Sequence, residues 1–90
     1  MSNQKPKINI SLKKAQSLIY KIIEMNDDNQ YCVDIMQQNL AAIGLLKSAH
    51  QMLLESHLNN CFMRAMATNN EKRKQEMIDE ILKVSKLANK

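Results

Sequence analysis

The sequence predicts an all-α protein built from three helices of short, long and medium length. The 90 residues include one Gly, one Pro and no Trp, which leaves few turn-forming residues for a β-sheet. Apolar residues recur at spacings of three and four, the period of an amphipathic helix. Only two polar clusters, residues 26–29 and 68–70, interrupt this period. A chain of this length forms at most one small domain.

The first ten residues and the helix that follows them form the first predicted segment. Residues 1–10 are polar and basic and are predicted to be a flexible arm, with a single helical domain over residues 11–90. Ser11 is an acceptable N-cap for the first helix. The apolar residues of this helix are Leu12, Ala15, Leu18, Ile19, Ile22, Ile23 and Met25. Short polar side chains at 26–29 are expected to end it and to cap the next helix.

The long helix is predicted from Tyr31 to about Ala67, because this stretch contains no Pro and a single Gly. It is apolar on several sides, and one small neighbour cannot cover all of them. A core of 90 residues is also marginal unless chains associate. We therefore expect an oligomer. The last helix, from about Asn70 to Leu87, is apolar on one face only.

Three side chains of the long helix are ligands for a soft metal ion: Cys32 near its start, and His57 and Cys61 near its end. His57 and Cys61 are four residues apart and lie on one face, one turn apart. Cys32 precedes His57 by 25 residues, which is roughly 37 Å along a straight helix. Metal–ligand bonds are only about 2 Å long. One chain cannot close this site, whereas an antiparallel dimer brings the start of one helix to the end of the other and forms two such sites.

Two sulfurs and one nitrogen form a three-coordinate ligand set, which favours Cu(I). Zinc prefers four ligands and would need one more than these three side chains supply. Zn and Ni are therefore kept as alternative ions, behind Cu(I). The competing interpretation is two cysteines buried as small hydrophobes and a surface histidine. His50 is seven residues before His57, roughly 10 Å away along the helix. We interpret it as a core or interface residue instead of a ligand.

The sequence lacks the motifs that mark several functional classes. The sequence contains no C-x-x-C motif and no Gly-rich phosphate loop, and nothing indicates an enzyme. The net charge of +4 and the pI of about 9.2 are compatible with a nucleic-acid partner. No apolar run approaches the length of about 18 residues that a membrane span needs. We expect a cytoplasmic protein without a membrane partner, with reduced cysteines.

The segment YCVDIMQQ is followed, 25 residues after its Cys, by HLNNC. This combination resembles the copper-sensing operon repressor (CsoR/RcnR/FrmR) family of small helical bacterial repressors. The resemblance covers about Leu12 to Met66 and implies a tetramer made of two dimers. The ligand set of the family falls on Cys32, His57 and Cys61, with the Cys supplied by the opposite protomer. Tyr31 corresponds to the family's Tyr and is expected to support the ligands from beside them.

The same resemblance separates the branches of the family. Its nickel and cobalt sensors use an extra histidine near the N-terminus, and this chain has none before His50. Its persulfide-sensing branch lacks the histidine that corresponds to His57. The resemblance therefore implies a copper sensor.

The resemblance also implies residues that bind DNA. Tyr20 occupies the position of a family arginine and Lys47 that of another, while Lys13 and Lys14 match basic positions. Lysine binds a phosphate as a point charge, without the two-pronged fork of arginine. The implied DNA-binding residues are Lys13, Lys14, Lys21, Lys47 and Arg64.

The expected function is a Cu(I)-responsive repressor that holds operator DNA without metal and releases it when Cu(I) binds between protomers. Two alternatives stay open. The missing arginines are compatible with a cytosolic copper-binding protein without DNA recognition. The two thiols, Cys32 and Cys61, are compatible with a thiol or persulfide redox sensor.

Overall fold

The computed structural model describes residues 4–88, and over that range the chain is helical with no strand. Helix α1 spans Lys5–Asp27, α2 spans Cys32–His57, a π-helical segment spans Leu58–Phe62, α3 spans Met63–Met66 and α4 spans Glu71–Ala88. The residues at the two junctions of the π-helical segment keep right-handed helical dihedrals. Residues 32–66 are therefore one continuous rod, called the long helix below.

The all-α prediction with three helices is confirmed, but the predicted order of lengths is not. Helix α1 has 23 residues and α4 has 18, so the order is medium, long and short. The difference arises at the N-terminus, where α1 begins at Lys5 instead of Ser11.

The predicted flexible arm is wrong over residues 5–10, which are helical, and residues 1–3 lie outside the described residues. Pro6 stands in the first turn of α1. There its fixed φ suits the helix, and its missing N–H would have no intrahelical partner anyway. Ile8 is only 8% exposed, so its burial favours helix over a solvated arm.

The turn between α1 and α2 reverses the chain. Asn29 has a φ of 54°, in the left-handed region that Asn tolerates better than most residues, and the Gln30 amide donates to the Met25 carbonyl oxygen at 3.0 Å. The N-cap of α2 is Tyr31, without a side-chain hydrogen bond. The predicted capping of this helix by residues 26–29 is therefore wrong, and these residues instead form the last part of α1 and the turn.

The two helices that this turn joins, α1 and α2, run antiparallel. Gln4, just before α1, donates from Nε2 to Oε2 of Glu55 at 3.0 Å, across 51 positions of sequence. The second turn is held by Thr68 Oγ1, which donates to the Ala65 carbonyl oxygen at 2.7 Å. The Asn70 side chain accepts from the Arg73 amide at 3.0 Å and caps the start of α4.

The core consists mainly of small residues. Ala15 of α1 is 1% exposed, and Ala42 and Ala49 of α2 are 4% and 0% exposed. Because α1 is the main neighbour of α2, these alanines allow a close approach of the two helices. Met77 holds α4 in place and is 1% exposed.

The chain is extended and thin, with extents of 58 × 28 × 14 Å and a radius of gyration of 17.6 Å. A compact chain of this length has a radius of gyration of about 12 Å. The accessible surface is 7059 Å², about 1,700 Å² more than expected for a compact monomer of this mass. The exposed apolar side chains include Met36, Leu40, Ile43, Leu53, Leu82 and Leu87. In a single chain these apolar side chains stay in contact with water, which is the reason to expect that chains associate.

No helix within residues 4–88 is both long and apolar enough to cross a membrane.

We predict that Ala49→Leu lowers the free energy of unfolding by about 1–3 kcal/mol, since no space is left at the contact of α1 and α2. Urea unfolding followed by circular dichroism measures the change. Ala88→Leu makes the same substitution at the exposed last residue of α4, and its expected effect is within about 0.5 kcal/mol. Equal losses in both variants would contradict a tight contact at Ala49.

Candidate metal centre

The structure places each of the three predicted metal ligands at an end of the long helix. Cys32 is the first residue of α2 and is exposed. His57 is the last residue of α2 and is half-buried, and Cys61 is exposed within the π-helical segment. Both cysteines are free thiols. Neither cysteine is buried within the single chain, so packing inside one chain gives them no role as small hydrophobes.

The two donor groups stay apart because the rod between them does not fold back. With 25 residues from Cys32 to His57 at 1.5 Å per residue, the separation is roughly 37 Å. Among residues 4–88, no three or more side chains of His, Cys, Asp and Glu come together in a group able to hold a metal ion. A single chain thus offers two partial donor sets, a thiol at one end and an imidazole with a thiol at the other.

The π-helical segment Leu58–Phe62 directly follows His57 and contains Cys61. In an α-helix of 3.6 residues per turn, a residue four positions along overshoots a full turn. A turn closed by i→i+5 hydrogen bonds holds more residues, so the segment changes the angle between His57 and Cys61 around the helix axis. Asn60 donates from Nδ2 to the Ser56 carbonyl oxygen at 2.8 Å and stabilises the widened turn. Neither the residue spacing nor the helical period predicts this π-helical segment.

Helix α4 brings an acidic residue to the histidine end of the long helix. Glu80 and His57 line one cleft of about 230 Å³, together with His50, Leu53, Leu54, Ile81 and Val84. A carboxylate that reaches an imidazole accepts a ring N–H and fixes the orientation of the ring, and Glu80 is the carboxylate of this cleft. The spacing of the metal ligands does not predict the position of Glu80. The sequence does contain a signal for it. Glu80 is three residues after Met77 and one before Ile81, so it lies next to the apolar face of α4.

The structure also gives the positions of Tyr31 and His50, which the sequence spacing of the metal ligands does not predict. Tyr31 is 67% exposed and precedes Cys32, so it lies at the opposite end of the rod from His57 of its own chain. His50 is exposed and lines the cleft of His57. It is not a core residue of the single chain.

The predicted DNA-binding lysines of α1 share one surface. Lys13, Lys14 and Lys21 line a shallow groove of about 520 Å³ together with Ile10, Ser17 and Leu18. Lys47 and Arg64 are exposed but do not line that groove. They lie on the long helix, roughly 25 Å apart along its axis. The structure thus brings together three of the five residues.

Comparison with known proteins places this sequence among transcriptional regulators. The family model of metal-sensitive transcriptional repressors matches residues 4–86. The copper-sensing transcriptional repressor CsoR of Mycobacterium ulcerans is 37% identical over 71 residues, 79% of this chain and 58% of the relative. The protein of the same name from Bacillus subtilis is 31% identical over 85 residues, 94% of this chain and 81% of the relative.

The copper-sensing transcriptional repressor RicR of Mycobacterium tuberculosis is 32% identical over 56 residues, 62% of this chain and 58% of the relative. The chain thus spans about three fifths of the length of the mycobacterial relatives that it matches. No solved structure matches it.

Proposed function

The chain belongs to the family of metal-sensitive transcriptional repressors, and we propose that it is a cytoplasmic, Cu(I)-responsive repressor that releases operator DNA when the metal binds. Members of this family are regulators and not enzymes. The observation that carries the proposal is the placement of Cys32 and the His57–Cys61 pair at opposite ends of one continuous helix. Relatives named copper-sensing repressors support the choice of metal.

The metal centre is formed between two antiparallel chains. Cys32 of one chain meets His57 and Cys61 of the partner subunit, and the two-fold axis makes a second site at the other end. Tyr31, next to Cys32, then lies beside the partner's ligands. The midpoint between the donor groups falls at residues 45 and 46, next to Gly44, where an added Cβ would contact nothing within the chain. A close crossing of two long helices gives this glycine a role that packing within one chain does not.

The chemistry of the donors selects the ion. Two thiolates and one imidazole form a soft, three-coordinate set that suits Cu(I) better than Zn or Ni. Glu80, in the cleft of His57, orients the imidazole from outside the ligand set. The exposed apolar side chains of the long helix and α4 are buried between protomers, first in dimers and then in a tetramer of two dimers.

The DNA-binding surface is made of Lys13, Lys14 and Lys21 on α1, with Lys47 and Arg64 on the long helix. Lysines bind the phosphate backbone and position the protein on the duplex. Helix α1 packs along α2, and its start is hydrogen-bonded to Glu55, two residues before His57. Copper at His57 therefore acts on the helix that carries the lysines. Copper releases the DNA only if it binds more tightly to the state of the protein with low DNA affinity than to the state with high DNA affinity.

We predict that the metal-free protein binds its promoter DNA, with an affinity that falls steeply as salt increases. The logarithmic slope against salt is about 0.9 for each phosphate contacted. One equivalent of Cu(I) per chain weakens the binding by about 5–150-fold, the usual range of such coupling. Fluorescence anisotropy with a labelled promoter fragment measures both effects. DNA affinity that is absent at low salt, or unchanged by Cu(I), would refute a copper-released repressor.

We predict that X-ray absorption of the Cu(I)-loaded protein shows two sulfur ligands and one nitrogen ligand, and that His57→Ala loses the nitrogen. His50→Ala is the matched control, because His50 lines the same cleft but lies about 10 Å further along the helix. This variant keeps the wild-type shell. Loss of the nitrogen in His50→Ala, or its retention in His57→Ala, would place the ligand elsewhere.

We predict that two defective variants restore one another when mixed. Cys32→Ser and Cys61→Ser each lose the tight Cu(I) site in homodimers, since every site lacks one thiolate. A mixed dimer has one intact site, formed by Cys32 of the Cys61→Ser chain and by His57 and Cys61 of the Cys32→Ser chain. After unfolding and refolding together, equal amounts should recover about a quarter of the wild-type tight sites in competition with a Cu(I) chelator. No recovery would exclude a site shared between chains.

A further inference from the structure

The net excess of positive charge in this chain lies in its first part. Residues 1–23 contain five lysines and no acidic residue, whereas residues 24–90 contain eight basic and nine acidic residues. The net charge of +4 thus results from an excess of five in the first part and a deficit of one in the rest. Because α1 begins at Lys5, the helix fixes the direction in which each of these lysines points.

Three of the lysines form one row along α1. Lys7, Lys14 and Lys21 are seven residues apart, and positions seven apart drift by only about 20° around an α-helix. The row is roughly 21 Å long at 1.5 Å per residue. All three lysines are exposed, whereas Ile8 and Ala15, each one position after a lysine of the row, are buried. Contact with α2 thus holds α1 with its lysine row on the open side.

Within residues 4–88, the ion pairs lie on α4, where Arg73 pairs with Glu76 at 3.8 Å and Lys74 with Glu71 at 3.3 Å. The lysines of α1 take part in none of them. The first turn of α1 contains no acidic residue, and cations near a helix N-terminus oppose the helix dipole. The stability of α1 therefore gives no reason for Lys7, whereas an anionic partner does.

We propose that Lys7 is a DNA-contacting residue and that the row Lys7, Lys14 and Lys21 follows one phosphate strand of the duplex. The inference rests on the proposed DNA-binding function. It extends the DNA-binding surface by seven residues, about two helical turns, towards the metal centre. A row of about 21 Å spans on the order of six phosphates of one strand, at 3.4 Å of axis each. Lys7 lies at the end of α1 whose neighbour Gln4 is hydrogen-bonded to Glu55. It is therefore the lysine of the row closest to the histidine end of the long helix.

The experiment compares the full-length variants Lys7→Gln, Lys14→Gln and Lys21→Gln with Lys5→Gln. Lys5 is the matched control, because it lies in the same first turn but about 160° around the helix from Lys7. DNA affinity is measured from low to moderate salt on the promoter fragment and on a scrambled fragment of equal length. Circular dichroism and sedimentation confirm equal helix content and assembly.

Each variant of the row is expected to lower the logarithmic salt slope by about 0.9 for each contacting subunit, on both fragments alike. Over a fourfold range of salt this is about a 3.5-fold smaller loss of affinity for each contact. Lys5→Gln keeps the wild-type slope.

Two results would overturn the role of Lys7. A wild-type slope in Lys7→Gln, with a reduced slope in Lys14→Gln, would end the surface before Lys7. An equal reduction in Lys5→Gln and Lys7→Gln would indicate diffuse charge instead of a row. Both results differ from failure of the proposed function, in which the wild-type protein itself shows no salt-dependent DNA binding.

Discussion

The stiffness of the long helix is the constraint on which the other features depend. Residues 32–66 form one rod, and a helix cannot bend to bring its two ends within a metal–ligand bond of one another. Under the proposed function, metal binding at Cys32, His57 and Cys61 is inseparable from association of two chains, and by linkage the metal would stabilise the assembly that binds it. The uncovered apolar surface of the thin chain supplies an attraction between chains that does not depend on metal. In the proposed function, association can therefore precede copper, and copper then changes the geometry of an existing assembly.

Much of this fold was predictable from local pattern, because helical period and polar interruptions are both local properties of a sequence. The errors occurred where a local signal has two meanings. Pro6 is typical of a flexible arm, but proline also suits the first turn of a helix, where it lies in the structure. The burial of Ile8, which decides between the two, depends on a helix more than 20 positions later in the chain. Tyr31 is the N-cap of α2 without a side-chain hydrogen bond, so no capping residue marks that boundary.

The same distinction applies to the candidate site. The separation of Cys32 from His57 was predictable, because a rigid helix converts a number of residues directly into a distance. The π-helical segment was not, since it reflects a local competition between hydrogen-bond patterns in which the Asn60 side chain takes part. The place of Glu80 in the cleft of His57 depends on how the turn at residues 67–70 directs α4. A period of three or four identifies the inner face of α4 but does not give the partner that this face meets.

The arrangement of α1 gives a physical reason why the two proposed binding surfaces can act on one another. One side of α1 carries lysines and the other packs on the long helix through alanines, where the helices approach closely and little free volume remains. A close-packed contact transmits a displacement instead of absorbing it, so a shift of the long helix near His57 must move α1. The required energy is small, since a coupling of about 1–3 kcal/mol changes affinity about 5–150-fold. The lysines need no contact with the metal centre, because both surfaces belong to one hairpin of two helices and any change in its geometry acts on both.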